Sequence, residues 1–379
     1  MDNIPNTRIR KLRTLIPGPK LAEFKLDKTS ESNPSLIDLS SNDYLGLSRN
    51  QEIIQAVNST IIEDGVGAGS SRLVTGSRPI HKELENSLEN WLDVGQVLLF
   101  PSGFQANMAA VMALADRHTT VIADRLIHYS LLMGVKSSGA RLQRFKHNSL
   151  SDLERLLKLS LKNGSKKKPL VLTESLFSME GSSPNLNEMA ALCEDYGAML
   201  FVDEAHSLGI MGLEGKGLSY GVSAPIKMIS GTFGKAFGSG GAFLATDKPT
   251  GEHLIQSSGF FRYTTALAPA LAGAALKALN LIKENPYWGR QLIDKSAVWR
   301  KSLIKNGWEC PEGTGPILSI ILGSDQRALS HQNQLEREGL LCIAIRPPTV
   351  PEGTSRLRVV IRKDIPEGTL ERFLTALSH

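Results

Sequence analysis

The sequence predicts an α/β chain: a large domain with a mostly parallel central sheet flanked by helices, plus a smaller C-terminal α+β domain. Three observations carry that expectation. Short apolar runs at 97–100, 120–123, 170–173, 199–202, 228–230 and 242–245 have the length and composition of buried strands, and helical stretches separate several of them. Polar residues recur just past the ends of these runs, where doubly wound sheets bind ligands. Beyond about residue 276 the alternation gives way to a long helical stretch and isolated strands.

The elements follow in order. Residues 1–45 are polar and broken by Pro17, Gly18, Pro19 and Pro34, which reads as an arm or small subdomain without its own core. Over 79–92, Ile80, Leu84, Leu88, Trp91 and Leu92 recur on one helical face. The run 97–100 ends in Pro101-Ser102-Gly103, and a helix is expected over about 104–114. Another is expected over 186–196, with Gly197 in the glycine position past a helix end. Residues 46–275 then form the large domain and 276–379 the small one. In the latter a helical stretch reaches about Lys305, and strands at 317–322 and 357–362 flank a further helix. Nothing in the sequence repeats.

The totals narrow the class. The 379 residues suggest two or three domains at about 150 residues each. A composition of 41% hydrophobic and 21% charged is ordinary for a soluble globular protein. The net charge of +5, with a pI near 9.0, aids solubility and suits anionic substrates without demanding them. Lys166-Lys167-Lys168, beside Asn163-Gly164, reads as a solvated loop rather than a nucleic-acid patch. Cys193, Cys310 and Cys342 are far apart and form no CxxC, so neither a disulfide framework nor a metal site is expected, and a reducing, cytoplasmic compartment is. There is no signal-like apolar segment at the start and no run of about 18 apolar residues for a membrane span.

The segment that carries chemistry is 230–238, Ser-Gly-Thr-Phe-Gly-Lys-Ala-Phe-Gly. Lys235 has apolar or small flanks, Phe233, Ala236, Phe237 and Ala242, so the segment reads as buried; burial lowers an amine pKa and makes it nucleophilic. Asp203 ends an apolar strand, and a carboxylate there needs a partner. That partner is a loop hydrogen bond or, with Lys235 nearby, the protonated ring nitrogen of pyridoxal phosphate (PLP) bound as a Schiff base. Strand alternation points the neighbouring Glu204 elsewhere. His206 is a core histidine or a donor to the cofactor's phenolic oxygen, and His128 is structural or stacks on a flat ring. Gly103-Phe104 opens a helix whose free amides suit a phosphate, and Thr232 can add a hydroxyl to it. Near the C-terminus Arg358 alternates with Leu357 and Val359; it faces solvent or grips a carboxylate. Arg346, in a proline-rich loop, is a second anion-binding candidate. The glycine-rich run 65–71 lacks the third glycine of a dinucleotide loop, and neither a Walker lysine nor a GxSxG elbow occurs.

Assembled, these motifs resemble the α-oxoamine synthase family of fold-type I PLP enzymes. The resemblance spans nearly the whole chain: Ser41-Asn42-Asp43-Tyr44-Leu45-Gly46, Pro101-Ser102-Gly103-Phe104-Gln105-Ala106-Asn107, Asp124 to His128, Glu174 to Gly181, the Asp203/His206 segment and Thr232 to Lys235. It implies that Lys235 carries the cofactor and serves as base and acid, with Asp203 on the pyridine nitrogen, His128 on the ring face and His206 at the phenolic oxygen. Gly103, Phe104 and Thr232 would lie near the phosphate, with Glu174 and Ser178 lining the pocket. Arg358, with Asn42, Arg346 and Arg13, would serve the substrate. Thr264 and Thr265 would reach the phosphate of the partner subunit in a homodimer whose site lies at the interface.

The segment Ala344 to Pro351, followed by Ser355 to Arg358, is similar to the branch that condenses L-alanine with a pimeloyl thioester of coenzyme A or acyl carrier protein. Arg72 stands where some members of that branch have histidine. The alternatives are a sibling condensation of glycine or serine with another acyl thioester, an aminotransferase on the same fold, and a non-catalytic binding protein.

Overall fold

The computed structural model describes residues 4–26, 35–162 and 167–378. Pro34 and the segment Asn163 to Lys166 lie outside the described residues. The chain forms two compact units, one of residues 47–177 and 183–289, the other of 1–46, 178–182 and 290–379.

The larger unit is built on seven strands: β1 (Gln96–Phe100), β2 (Thr120–Asp124), β3 (Arg141–Phe145), β4 (Leu170–Glu174), β5 (Met199–Asp203), β6 (Met228–Thr232) and β7 (Ala242–Thr246). Their order is β1-β7-β6-β5-β4-β2-β3. All neighbours are parallel except β7, which runs antiparallel to β1 and β6. The mostly parallel sheet is as expected. β3 is the strand that the apolar pattern missed. It lies at the edge with four of its five residues at least partly open, so it has no apolar run to detect.

Two hydrophobic clusters cover the two faces, and strand alternation sorts residues between them. Val121, Ala123, Leu170, Leu172 and Phe201 pack with Ala106, Ala109, Ala110 and Val111 of the helix Gly103–Leu114. Ile122, Val171, Leu200 and Val202 pack with Leu153, Leu157, Met189 and Cys193 on the other face. Asp203, two residues after Phe201, and Glu174, two after Leu172, therefore emerge on the face that the helix Gly103–Leu114 covers.

The helical stretch expected from 276 to 305 is two helices, Pro269–Glu284 and Trp288–Lys305. Between them lies Asn285-Pro286-Tyr287, where Pro286 has no N–H to continue the ladder. The division expected at 275/276 falls inside the first helix, which belongs to the larger unit with the rest of the chain up to Gly289.

In the smaller unit the N-terminal residues, expected as an arm or small subdomain, contribute strands to a sheet. Leu15–Pro17, Glu23–Leu26 and Leu36–Asp38 pair in order, and Leu340–Leu341 joins parallel to Leu36–Asp38. A second sheet places Ser355–Val360 between Ile317–Gly323 and Ile343–Ile345, antiparallel to both. Every residue of Ser355–Val360 is buried. Among the described residues no helix is long and apolar enough to cross a membrane.

Candidate active site

A cavity of about 180 Å³ opens at the carboxyl ends of β4, β5 and β6. Eight of the expected residues line it: Gly103, Phe104, His128, Glu174, Asp203, His206, Thr232 and Lys235. They arrive from five chain segments, 103–104, 128, 174, 203–206 and 232–235, which the mostly parallel sheet gathers. Asn107, Ala205, Ser230 and Gly231 complete the wall.

Asp203 is 6% exposed. Its Oδ2 accepts from Asn107 Nδ2 at 2.7 Å and its Oδ1 from the Ala205 amide at 2.9 Å. Among the described residues no lysine or arginine pairs with this carboxylate, so neutral donors alone hold a buried charge. Glu204 turns away from the cavity, as alternation requires. Its carboxylate accepts from Ser175 Oγ at 2.8 Å, the Leu218 amide at 3.1 Å and the Ser219 amide at 2.6 Å, and from the hydroxyls of Ser207 and Ser219.

Lys235 follows β6 in a turn closed by Phe233 N to Gly241 O at 2.9 Å and Gly238 N to Lys235 O at 2.9 Å. Phe233, Ala236 and Phe237 are buried and anchor the turn, while Lys235 itself is half-buried. Gly238 has φ +60°, and a Cβ there would lie 2.3 Å from Ser48 N, so only glycine fits. Lys235 Nζ is 2.6 Å from His206 Nε2. The resemblance implies a contact of His206 with a cofactor oxygen; within the chain its ring faces the lysine.

His128 caps the helix Tyr129–Ser138: its Nδ1 accepts from the Ser130 amide at 3.3 Å and lies 2.7 Å from Ser130 Oγ. The residue is exposed and lines the cavity. Even so, desolvation by the cavity walls holds its pKa below the ordinary imidazole value, with Asp203 opposing and Lys235 reinforcing the shift. The helix Gly103–Leu114 begins at the cavity, with Ser102 Oγ accepting from Gln105 N at 3.3 Å. Gly103 starts that helix beside Thr232: an added Cβ would lie 3.7 Å from the Thr232 side chain, an ordinary contact. Thr232 Oγ1 donates to Gly241 O at 3.0 Å and accepts from Gly234 N at 3.2 Å.

The other expected residues lie elsewhere. Thr264 is half-buried and Thr265 exposed, in the irregular segment before the helix Pro269–Glu284, and neither lines the cavity. Ser178, Asn42, Arg358, Arg346 and Arg13 belong to the smaller unit. Arg358 does not sit on a solvated strand face: it is 7% exposed, its Nε donates to Ser178 O at 2.6 Å and its Nη2 to Asn42 Oδ1 at 2.9 Å. The structure thus joins Arg358, Asn42 and Ser178 in one cluster. Arg346 donates to the Thr7 carbonyl, and its buried Nε has no partner among the described residues. Arg13 is gripped by Glu336 at 2.6 and 3.1 Å, because a carboxylate is at hand for its fork.

Sequence reasoning missed Asn107 and Ser130. Asn107 ends the quoted motif and lies one helical turn past Gly103. That spacing was the available signal. A second, apolar cavity of about 360 Å³ in the smaller unit, along the helix Trp288–Lys305, has no paired acid and base in its wall.

Over residues 34–377 the chain matches the family described as aminotransferase class I and II. The chain belongs to that family. A relative, the 8-amino-7-oxononanoate synthase of Acidithiobacillus ferrooxidans (strain ATCC 53993 / BNL-5-31), is 38% identical over 371 residues, 97% of this chain and 93% of the relative. Among solved structures, a serine palmitoyltransferase variant from S. paucimobilis with bound PLP–myriocin aldimine aligns with TM-score 0.90 at 26% identity, over 96% of this chain and 92% of that one. An 8-amino-7-oxononanoate synthase from Francisella tularensis aligns with TM-score 0.76 at 28% identity, over 90% and 96%. The expected resemblance to the α-oxoamine synthases is borne out, and the fold is that of fold-type I transferases. The chain is an enzyme of this family.

Proposed function

We propose that this enzyme is an 8-amino-7-oxononanoate synthase, which condenses L-alanine with a pimeloyl thioester and releases carbon dioxide and free thiol in biotin biosynthesis. The observation that carries this reading is the joining of Lys235, Asp203 and His128 in one cavity of a chain that is 38% identical to such a synthase over 97% of its length.

The cofactor is pyridoxal 5′-phosphate, and the wall of the cavity fits it. Asp203 is a buried carboxylate with no paired lysine or arginine among the described residues, as a protonated pyridine nitrogen requires. In the same wall Asn107 Oδ1 and Ser230 Oγ are buried polar atoms that have no partner among the described residues. The first amides of the helix Gly103–Leu114 have no intrahelical acceptors and suit a phosphate. When bound, PLP supplies an aldehyde for amines and a ring that spreads the electron pair left on the amino-acid α-carbon.

The chain's own residues do the rest. Lys235 Nζ holds the cofactor, takes the α-proton of L-alanine and returns a proton to the product carbon. His206 Nε2, 2.6 Å away, is placed to exchange a proton with that amine. Asp203 keeps the pyridine nitrogen protonated, and His128 covers one ring face. Gly103, Phe104 and Thr232 bind the phosphate, and Glu174 bounds the pocket. Arg358 holds the alanine carboxylate with Asn42 and Ser178 beside it, and Arg346 and Arg13 meet the anionic acyl donor. The active form is a homodimer in which Thr264 and Thr265 reach the partner's phosphate, and it works in the cytoplasm. Its three free cysteines suit that reducing compartment.

The test is thiol release by the PLP-loaded protein from pimeloyl-CoA with L-alanine, beside acetyl-CoA or succinyl-CoA with glycine and palmitoyl-CoA with L-serine. Release with the first pair alone is expected. The TM-score of 0.90 to a serine palmitoyltransferase favours the serine reaction as a second reading, and release with that pair alone would replace the first.

A further inference from the structure

The cavity contains a hydrogen-bond chain that neither the motifs nor the relatives assign. Asn107 Nδ2 donates to Asp203 Oδ2 at 2.7 Å and to Ser130 Oγ at 2.9 Å. Ser130 Oγ lies 2.7 Å from His128 Nδ1. Asn107 is 3% exposed and Ser130 fully buried, so water does not compete for the two Asn107 bonds; the bond to the exposed His128 is part-buried.

The direction of each bond follows from chemistry. The Asp203 carboxylate only accepts, so the Asn107 nitrogen faces it; the reversed amide would set two acceptor oxygens together. That choice costs something, because it leaves Asn107 Oδ1 buried without a partner. Asn107 spends both amide protons, one on Asp203 and one on Ser130. The Ser130 hydroxyl, having accepted, donates its own proton onward. His128 Nδ1 lies 2.7 Å from the Ser130 hydroxyl, whose proton it receives as the strong donor, and 3.3 Å from the Ser130 backbone N–H, a weaker second donor, so Nδ1 carries a lone pair chiefly because of the hydroxyl. The single ring proton then sits on Nε2.

We propose that Asn107 and Ser130 are positioning residues that fix the Asp203 carboxylate and the His128 tautomer as one unit. With Oδ1 held by Ala205 N and Oδ2 by Asn107, the carboxylate cannot rotate about its own axis. With Nδ1 held as an acceptor, the His128 ring stays neutral, and a neutral ring lies over a protonated pyridine without like-charge repulsion. Asn107 thereby ties the carboxylate that would pair with the cofactor nitrogen to the ring that would cover the cofactor face. This rests on the PLP-enzyme reading above, although the bonds themselves exist within the chain.

The experiment uses the PLP-loaded protein labelled with ¹⁵N-histidine, the His128 signal being assigned by its loss in His128→Gln. Unprotonated Nδ1 and protonated Nε2 are expected in the wild type. Ser130→Ala should populate the Nδ1-protonated form, and Ser130→Thr, which keeps the hydroxyl, should restore the wild-type pattern. Asn107→Ala should lower kcat on the order of 10–100-fold, the effect of a lost hydrogen bond to a charged group, with the amino-acid KM within about two-fold. A protonated Nδ1 in the wild type, or an unchanged tautomer in Ser130→Ala, overturns the proposal. So does an Asn107→Ala kcat within about two-fold of wild type. If the wild type condenses no acyl thioester while the tautomer results hold, the proposed function fails and the positioning unit stands.

Discussion

Lys235 and Asp203 show what a residue type means once its surroundings are known. A lysine is exposed by default; here it is half-buried with its amine on His206. Lys235→Ala should remove covalent attachment of PLP, seen as the loss of the cofactor adduct on the peptide that contains position 235 after borohydride reduction. An adduct retained elsewhere in the chain would assign another lysine. Asp203→Ala should retain PLP yet lose turnover by on the order of 10²–10³, the size of a lost preorganised electrostatic contact. Turnover within ten-fold of wild type would take the pyridine-nitrogen role from Asp203. The types and positions of these two residues are legible in the sequence. The Asn107 partner of Asp203 is not, because a hydrogen bond between residues 96 positions apart depends on how the helix Gly103–Leu114 packs on the sheet.

At the scale of elements, buried charge does the fastening. Glu204 accepts from donors on the β4 exit and on the segment from Ser207 to Ser219, so it pins the turn that carries His206. Glu204→Gln puts an NH₂ against backbone N–H groups and should destabilise by about 1–3 kcal/mol in urea unfolding. A loss below a few tenths would mean that the serines rearrange freely. In the smaller unit Arg362, 2% exposed, binds Asp38 at 2.6 Å, Asp364 at 2.8 Å and Asp43 at 3.4 Å, and these carboxylates raise its pKa further. Arg362→Met strands three carboxylates and should cost about 3–5 kcal/mol. A stability equal to wild type would show that the cluster is hydrated. Most helices and strands were legible because their apolar periods are long and regular. The edge strand β3 and the short strands at the N-terminus were not, since pairing rather than composition makes them strands.

For the whole molecule, a cofactor that binds only the folded chain adds stability by mass action. PLP at about 100 times its dissociation constant should add about 2.7 kcal/mol, and removing it should lower Tm by a matching amount. No change in Tm on removal would mean that the cofactor binds the unfolded chain as well. The chain's organisation is also a matter for the whole molecule. Residues 1–46 and 178–182 join residues 290–379 in one compact unit, a grouping that no local pattern announces.

By itself, the sequence determined the α/β class, the lysine, the aspartate and most of the cavity wall, because apolar period and residue chemistry are local properties. Only the tertiary structure decided that Asn107 joins Asp203 to Ser130 and that Arg358 is buried against Ser178 and Asn42. It also drew the N-terminal strands into a sheet with Leu340–Leu341. Those facts depend on distances between residues far apart in the chain, and such distances exist only once strands and helices have packed.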